Sequence, residues 1–276
     1  MGCLSAKWWG EHSVRAVLLP TFHAARSENS PYQTGGPSEP VNQMADLADI
    51  SACPLCGGTG PFRPLADRWY RHHLLCPDCR LIFTVRDELP SPDAARARYA
   101  MHQNGPGDPG YVAFLSRAVT AAAPHLAALA ASTPGARALD YGCGPGPALH
   151  VPLADFGIPC DCWDPCFFPE PPPLGRYRVV FATEVVEHFL HPARDWQDML
   201  ARVAPGGLLV VMSSFWTDEA AFPSWSYAND STHVAFHHSD TLDWIARRWS
   251  LERLPSPDPR VALFGVPGPA NQAVWG

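Results

Sequence analysis

Apolar positions fall in blocks along the second half of this chain, and each block ends in a turn signal. Ala136, Ala138 and Leu139 form a short apolar run that closes on Asp140 and opens into Gly142, Gly144 and Gly146. That order predicts a buried strand leading into a tight loop, where the backbone turns sharply and passes close to a ligand that a Cβ would obstruct. A short helical stretch is predicted over 148–156. The run Tyr177–Thr183 is β-branched, aromatic and continuous, as expected of a parallel strand buried on both faces. A helix over 194–203 then leads to a Pro205-Gly206-Gly207 turn and a further buried strand over 208–212. A last helix is predicted over 241–249, capped by Ser239 or Asp240. Upstream, 112–131 reads as helical with an interruption at Pro124.

The string Leu139-Asp140-Tyr141-Gly142-Cys143-Gly144-Pro145-Gly146 differs from the dinucleotide fingerprint in its glycine spacing and in the acid at the strand tip. The strand, Asp-x-Gly-x-Gly-x-Gly, helix order resembles motif I of the class I S-adenosylmethionine-dependent methyltransferases. Their cofactor carries no phosphate, and its amino group and sulfonium are cationic, so an acidic strand end suits it. Asp164 lies 18 residues beyond Gly146, near the ~20 expected of a ribose-binding carboxylate in a nucleotide fold. Glu184-Val185-Val186-Glu187-His188 and Pro205-Gly206-Gly207-Leu208-Leu209-Val210 resemble the family's fourth- and fifth-strand signatures. The resemblance covers about residues 135–266. It implies an α/β, Rossmann-like domain with a mostly parallel seven-stranded sheet. It also implies S-adenosylmethionine held by Asp140, Gly142, Cys143, Gly144, Gly146, Asp164 and Thr183.

One stretch departs from the family pattern. Arg178 follows Asp164 by only 14 positions, where relatives fit a helix, a third strand and an adenine-contacting acid. The segment 165–173 carries too many prolines for a helix, so the sheet is expected to be reduced around its third strand. Adenine would then be held differently, against Phe167 or Phe168.

Methyl transfer from a sulfonium is an in-line displacement, so the protein mainly aligns the acceptor and excludes water. A base is needed only for a protonated hydroxyl or thiol. Glu184, Glu187 and His188 fall at the end of the fourth strand, which faces the ligand crevice in such sheets. With His233 they form the candidate catalytic set. The small-RNA 3′-end 2′-O-methyltransferases and the ubiquinone-pathway O-methyltransferases use an E-x-x-E-H string and a distant histidine to hold a divalent metal. The resemblance therefore implies a possible second metal at Glu184, Glu187, His188 and His233, of a kind that accepts carboxylate and imidazole. A metal-free general base at His188 or His233 is the other reading. The aromatic-rich region of Trp216, Phe222, Trp225, Tyr227 and Phe236 is expected either to line the acceptor pocket or to be core.

Ahead of this domain stand Cys53-Pro54-Leu55-Cys56 and Cys76-Pro77-Asp78-Cys79, with 19 residues between the pairs. Two C-x2-C knuckles at that separation predict a structural zinc site on Cys53, Cys56, Cys76 and Cys79, closed to substrate because all four ligands are protein. Some ribosomal-RNA methyltransferases carry such a ribbon. Between Cys53 and Tyr99, however, seven arginines face five acids, and no basic stripe emerges. Nucleic acid is therefore not the expected partner. The connector has an Arg98-Tyr99…His102…Gly110-Tyr111 pattern similar to bacterial zinc-ribbon methyltransferases. It is expected to lid the cofactor, with Tyr99 or His102 near it.

The 276-residue chain has room for one α/β domain and a small module, and its net charge of −7 gives no general affinity for nucleic acid or anionic membrane. No apolar run in the sequence approaches the ~18 residues of a membrane span. Lys7 is the single lysine among 20 basic residues, and 31 residues are proline, a bias read as bacterial coding background. Paired cysteines argue for a reducing, cytoplasmic setting. The expected organisation is an N-terminal extension over 1–50, a zinc ribbon over 51–86, a connector over 87–112 and the methyltransferase domain over 113–276. The expected function is methyl transfer to a small-molecule oxygen, nitrogen or sulfur. RNA methylation through the ribbon and a degenerate fold that only binds a ligand or partner are the alternatives. Displacement within the cofactor itself is a third reading that no residue selects.

Overall fold

A computed structural model describes residues 51–66, 71–102 and 104–268. The extension expected over 1–50 lies outside them. Three short strands, β1 (Arg63–Ala66), β2 (His72–Leu75) and β3 (Ile82–Thr84), precede helices α1 (Pro92–Tyr99) and α2 (Pro109–Ser132). There follow β4 (Ala138–Tyr141), α3 (His150–Leu153), β5 (Cys160–Trp163), β6 (Tyr177–Thr183), α4 (Pro192–Leu200) and β7 (Val203–Met212). The chain continues through β8 (Ala235–Phe236), α5 (Ser239–Arg248), β9 (Glu252–Leu254) and β10 (Val261–Gly265).

The larger sheet has the order β5-β4-β6-β7-β10-β9. Strands β5, β4, β6 and β7 are parallel, β10 is antiparallel to β7, and β9 is antiparallel to β10. Six strands are formed among the described residues, and the missing one is the third of the expected seven. Beyond β5 the chain makes a turn bridged between Asp164 and Phe168 and then runs through its prolines as coil. Proline has no N–H to give a ladder, so no strand covers the β5 edge there.

The centre of the sheet is dry because β6 has side chains fit for both faces. Val179 and Phe181 point to the α2 side, where they pack with Leu115, Ala118, Ala122 and Leu126. Val180 and Ala182 point to the other side, against Trp196 and Met199 of α4 and Leu242 and Ile245 of α5. In α4 the buried Pro192, Trp196 and Met199 recur at helical spacing, which turns one stripe of an otherwise polar helix inward.

The structure departs from the expected elements at α2, β7 and α5. Pro124 does not interrupt α2, which runs 24 residues straight through it. The proline withholds one bond from the preceding turn, and burial of the helix face on the sheet outweighs that loss. This alanine-rich helix is also long and apolar enough by composition to cross a membrane, which no apolar run had suggested. Its buried face, Leu115 to Leu126, packs on the sheet. The Pro205-Gly206-Gly207 turn is a bulge inside β7, where the register with β6 shifts between Tyr177 and Val179. Arg178 donates to the carbonyls of Pro205 and Gly206 at 2.7 and 2.9 Å, satisfying groups the bulge takes out of the ladder. Helix α5 is capped by His238, which accepts from the Asp240 N–H, with Thr241 completing a capping box.

The smaller sheet has the order β1-β2-β3-β8. Its fourth strand comes from the far side of β7 in sequence, so the cysteine hairpin and the methyltransferase-like half share one sheet. Trp216, Phe222 and Phe236 are buried between them, against Leu75 and Ile82. These aromatics are core, and Trp216 and Phe222 also border a small cavity with Phe215 and Trp225.

Candidate functional site

The C-terminal ends of β4, β5 and β6 converge on one crevice. Gly142 and Gly144 have φ of 77° and 65°, a region that L side chains rarely adopt. Gly142 also lacks room: a Cβ there would lie 2.6 Å from a Val185 methyl. The N–H groups of Gly142 and Cys143 donate to the Trp163 carbonyl at 2.8 and 3.1 Å, tying the loop to β5. Asp164 is buried and accepts from the N–H of Gly144 at 3.0 Å, and from those of Cys166 and Phe167 at 2.8 and 3.2 Å. It therefore holds the loop as well as facing the crevice. Asp140 is buried, and its Oδ1 has no partner. Burial, with Asp164 alongside, pushes its carboxyl up to about 7. A cationic amine at this loop would supply the missing partner, so these residues fit the amino-acid end of S-adenosylmethionine. Thr183 closes β6 at the same edge.

Beside this cradle lies a compact set of donors. One ligand atom from each of Glu187, His188 and His233 lies within 4.8 Å of the others. The His188 Nδ1–H donates to the Thr232 carbonyl at 2.9 Å, and the His233 Nδ1–H to the Tyr227 carbonyl at 2.7 Å. Both rings are thus fixed with Nδ1 spent, which leaves each Nε2 with its lone pair available. The rings meet edge to face at 4.8 Å. Burial, reinforced by His188, pulls His233 down to about 4, so it is neutral near pH 7. Two imidazole nitrogens and a carboxylate suit a borderline divalent metal.

Glu184 stands apart from that trio. It has a left-handed φ of 56°, which turns its carboxylate toward Arg260, 2.7 Å from Oε1, and toward the Tyr227 hydroxyl, 3.1 Å from Oε2. Burial first, and Glu187 second, push it up to about 8 despite Arg260. The structure thus groups three of the four expected ligands and gives Glu184 to a neighbouring network. In that network the hydroxyl of the partly buried Tyr227 bonds Glu187 and Glu184, and Ser213 donates to Glu187 at 3.0 Å.

The connector reaches into the same crevice. The Tyr99 ring packs edge-on against His188 at 5.2 Å. Burial, then the charges of Cys166, Glu187, Asp230 and Asp164, push its hydroxyl up. Tyr111, at the start of α2, is raised likewise by burial and then by Asp140, Cys143 and Glu184. His102 is pulled down by burial and by Arg98. Ser213 and Arg260 carried no sequence signal, because 76 positions separate Arg260 from the Glu184 it pairs with.

The four cysteines form a second centre. Cys53 and Cys79 sulfurs lie 3.6 Å apart, and those of Cys56 and Cys76 3.5 Å. Tetrahedral zinc–thiolate bonds of ~2.3 Å put neighbouring sulfurs about 3.8 Å apart, whereas a disulfide needs about 2.05 Å. The Gly58 N–H donates to the Cys56 sulfur at 3.3 Å, an interaction that favours the thiolate form. This geometry fits zinc.

Comparisons with known proteins agree with the fold. The sequence profile of the methyltransferase-domain family matches residues 111–253. No curated protein sequence matches the chain. Among solved structures, an O-methyltransferase family protein from Burkholderia thailandensis is 16% identical, covering 67% of this chain and 66% of its own, with a TM-score of 0.41. An S-adenosylmethionine-dependent methyltransferase from Thermotoga maritima is 15% identical, covering 57% of this chain and 94% of its own, with a TM-score of 0.36. A Bacillus halodurans protein described as a methyltransferase is 15% identical, covering 48% and 69%, with a TM-score of 0.38. At these values none bears on the substrate.

Proposed function

This chain belongs to the methyltransferase-domain family and is a class I S-adenosylmethionine-dependent methyltransferase, and we propose that its acceptor is a small molecule methylated on oxygen, nitrogen or sulfur. One observation carries the proposal: His188 and His233 each keep Nε2 free beside the Glu187 carboxylate and a loop whose buried acid, Asp140, lacks a partner. The bound cofactor supplies an already activated methyl group. The chain's own residues then have to align the acceptor and exclude water. Asp140 and the Gly142–Gly146 turn fix the cofactor's charged end, and Asp164 faces its ribose. An acceptor hydroxyl or thiol placed against His188 and His233 passes its proton to a free Nε2 as its oxygen or sulfur attacks the methyl group.

A divalent metal on Glu187, His188 and His233 would serve the same end by lowering the acceptor's pKa. Zinc on Cys53, Cys56, Cys76 and Cys79 is structural, with all four positions taken by protein. The ribbon arginines argue against RNA as the substrate. Arg63 pairs with Glu219, Arg80 with Asp240, and Arg98 with Asp230, so these charges have acidic partners within the chain.

Calorimetric titration with S-adenosylmethionine, with Asp164→Ala as control, tests the cofactor site before any acceptor screen. Micromolar binding lost in the variant supports the proposal. A folded, zinc-replete protein that binds nothing would make this a degenerate fold serving as an interaction module.

A further inference from the structure

The zinc hairpin grips the segment that aims the two imidazoles. Arg71, next to β2, donates from Nη1 to the carbonyls of Ala228 and Asp230 at 2.9 and 3.0 Å. From Nη2 it donates to those of His233 and Ser231 at 3.0 and 3.5 Å, and to the Thr84 hydroxyl at 3.3 Å. The intervening carbonyl, Thr232, holds His188, and the Tyr227 carbonyl just before this run holds His233. Strand β3 continues the grip. The Thr84 N–H donates to the Val234 carbonyl at 2.9 Å, and the Val234 N–H donates to the Glu187 carbonyl at 2.8 Å. The knuckle ends at Cys79, three residues before β3 begins, and the buried Cys76, Cys79 and Leu81 share a core with Phe189, the neighbour of His188.

We infer that Arg71 is a positioning residue for the methyl-transfer site, and that the hairpin's role is to set the direction of both Nε2 atoms. The inference rests on the reading of Glu187, His188 and His233 given above. A guanidinium suits this task because its fork carries five N–H donors in a fixed plane. Four carbonyls of one short turn converge on it, and without it they would point at one another across a loop with little regular structure. Lysine offers one compact charge and cannot reach both rows of carbonyls.

The test uses the full zinc-replete chain with 15N-labelled histidine. Long-range proton–nitrogen spectra read which ring nitrogen carries the proton, and a His233→Asn sample assigns the signal. In the wild type His188 and His233 carry Nδ1–H. In Arg71→Met both shift to a mixture of tautomers, and Arg71→Lys lies between. Manganese(II) affinity, followed by electron paramagnetic resonance, falls about tenfold in Arg71→Met, as expected when an outer-shell support is removed. Affinity for S-adenosylhomocysteine stays within about twofold, because the glycine loop shares no partner with Arg71. Histidine spectra of Arg71→Met that superimpose on the wild type overturn the inference. Should that variant fail to fold, unchanged spectra in Arg71→Lys overturn it equally. A wild type that binds neither manganese nor S-adenosylhomocysteine would sink the catalytic reading, while the tautomers still decide whether Arg71 positions the rings.

Discussion

Gly146 and Asn104 approach more closely than any side chain would permit. A Cβ built on Gly146 would lie 1.9 Å from the Asn104 carbonyl oxygen, which places the connector directly over the cofactor loop. Gly146 itself has no unusual φ, so alanine meets crowding alone. Overpacking of this kind costs about 1–3 kcal/mol. We expect Gly146→Ala to displace the connector, lowering S-adenosylmethionine affinity roughly tenfold and the melting temperature by a few degrees. A lowered melting temperature with unaltered affinity would put the strain in the fold instead.

Asp140 combines burial with an orphaned oxygen, and its carboxyl rises from 3.8 to about 7. An acid whose folded pKa is raised costs stability once ionised. The cost begins as pH passes its unfolded value near 4 and is complete above 7. It is on the order of a few kcal/mol. Asp140→Asn should therefore melt like the wild type at pH 4 and higher than it at pH 8, yet bind S-adenosylmethionine more weakly. Equal melting at both pH values would show that the carboxylate is solvated in the free protein.

His233 tests the metal. Elemental analysis of His233→Ala should find zinc retained and any other divalent metal lost together with activity, because the cysteine centre does not depend on this ring. An unchanged metal content would leave His188 and His233 as bases without a metal.

Cys79 is buried in a core that the hairpin shares with Trp196 and Leu242. Cys79→Ser should lower the melting temperature of the whole described unit in one cooperative transition, at a cost of several kcal/mol. Two separate transitions in differential scanning calorimetry would mean that the hairpin melts alone.

The strands at Ala138 and Tyr177, the glycine loop and the two knuckles were legible because each is a local pattern. Burial on both faces writes a continuous apolar run, and a close backbone approach writes glycine. The missing third strand was legible for the same reason, through its prolines. The parts that escaped reading depend on distant partners. Glu184 sits in the same short string as Glu187 and His188, but a left-handed turn sends it to Arg260. The aromatics at Trp216, Phe222 and Phe236 suited pocket and core equally, and only the neighbouring Leu75 and Ile82 decide for core. Tyr227 links two acids just beyond β6, which no spacing in the chain could reveal.

The pairing of β3 with β8 has a consequence for inheritance. The family profile matches 111–253, and the hairpin precedes that portion. Yet its last strand is hydrogen-bonded to a segment deep inside that portion, through Ile82 to Phe236 and Phe83 to Ala235. A piece gained at the front of a gene can be exchanged freely only while its contacts are its own. Here the shared strand makes the two parts depend on each other. Recombination that brings a new hairpin must also bring residues near 235, or leave one sheet with a ragged edge and His233 without its brace.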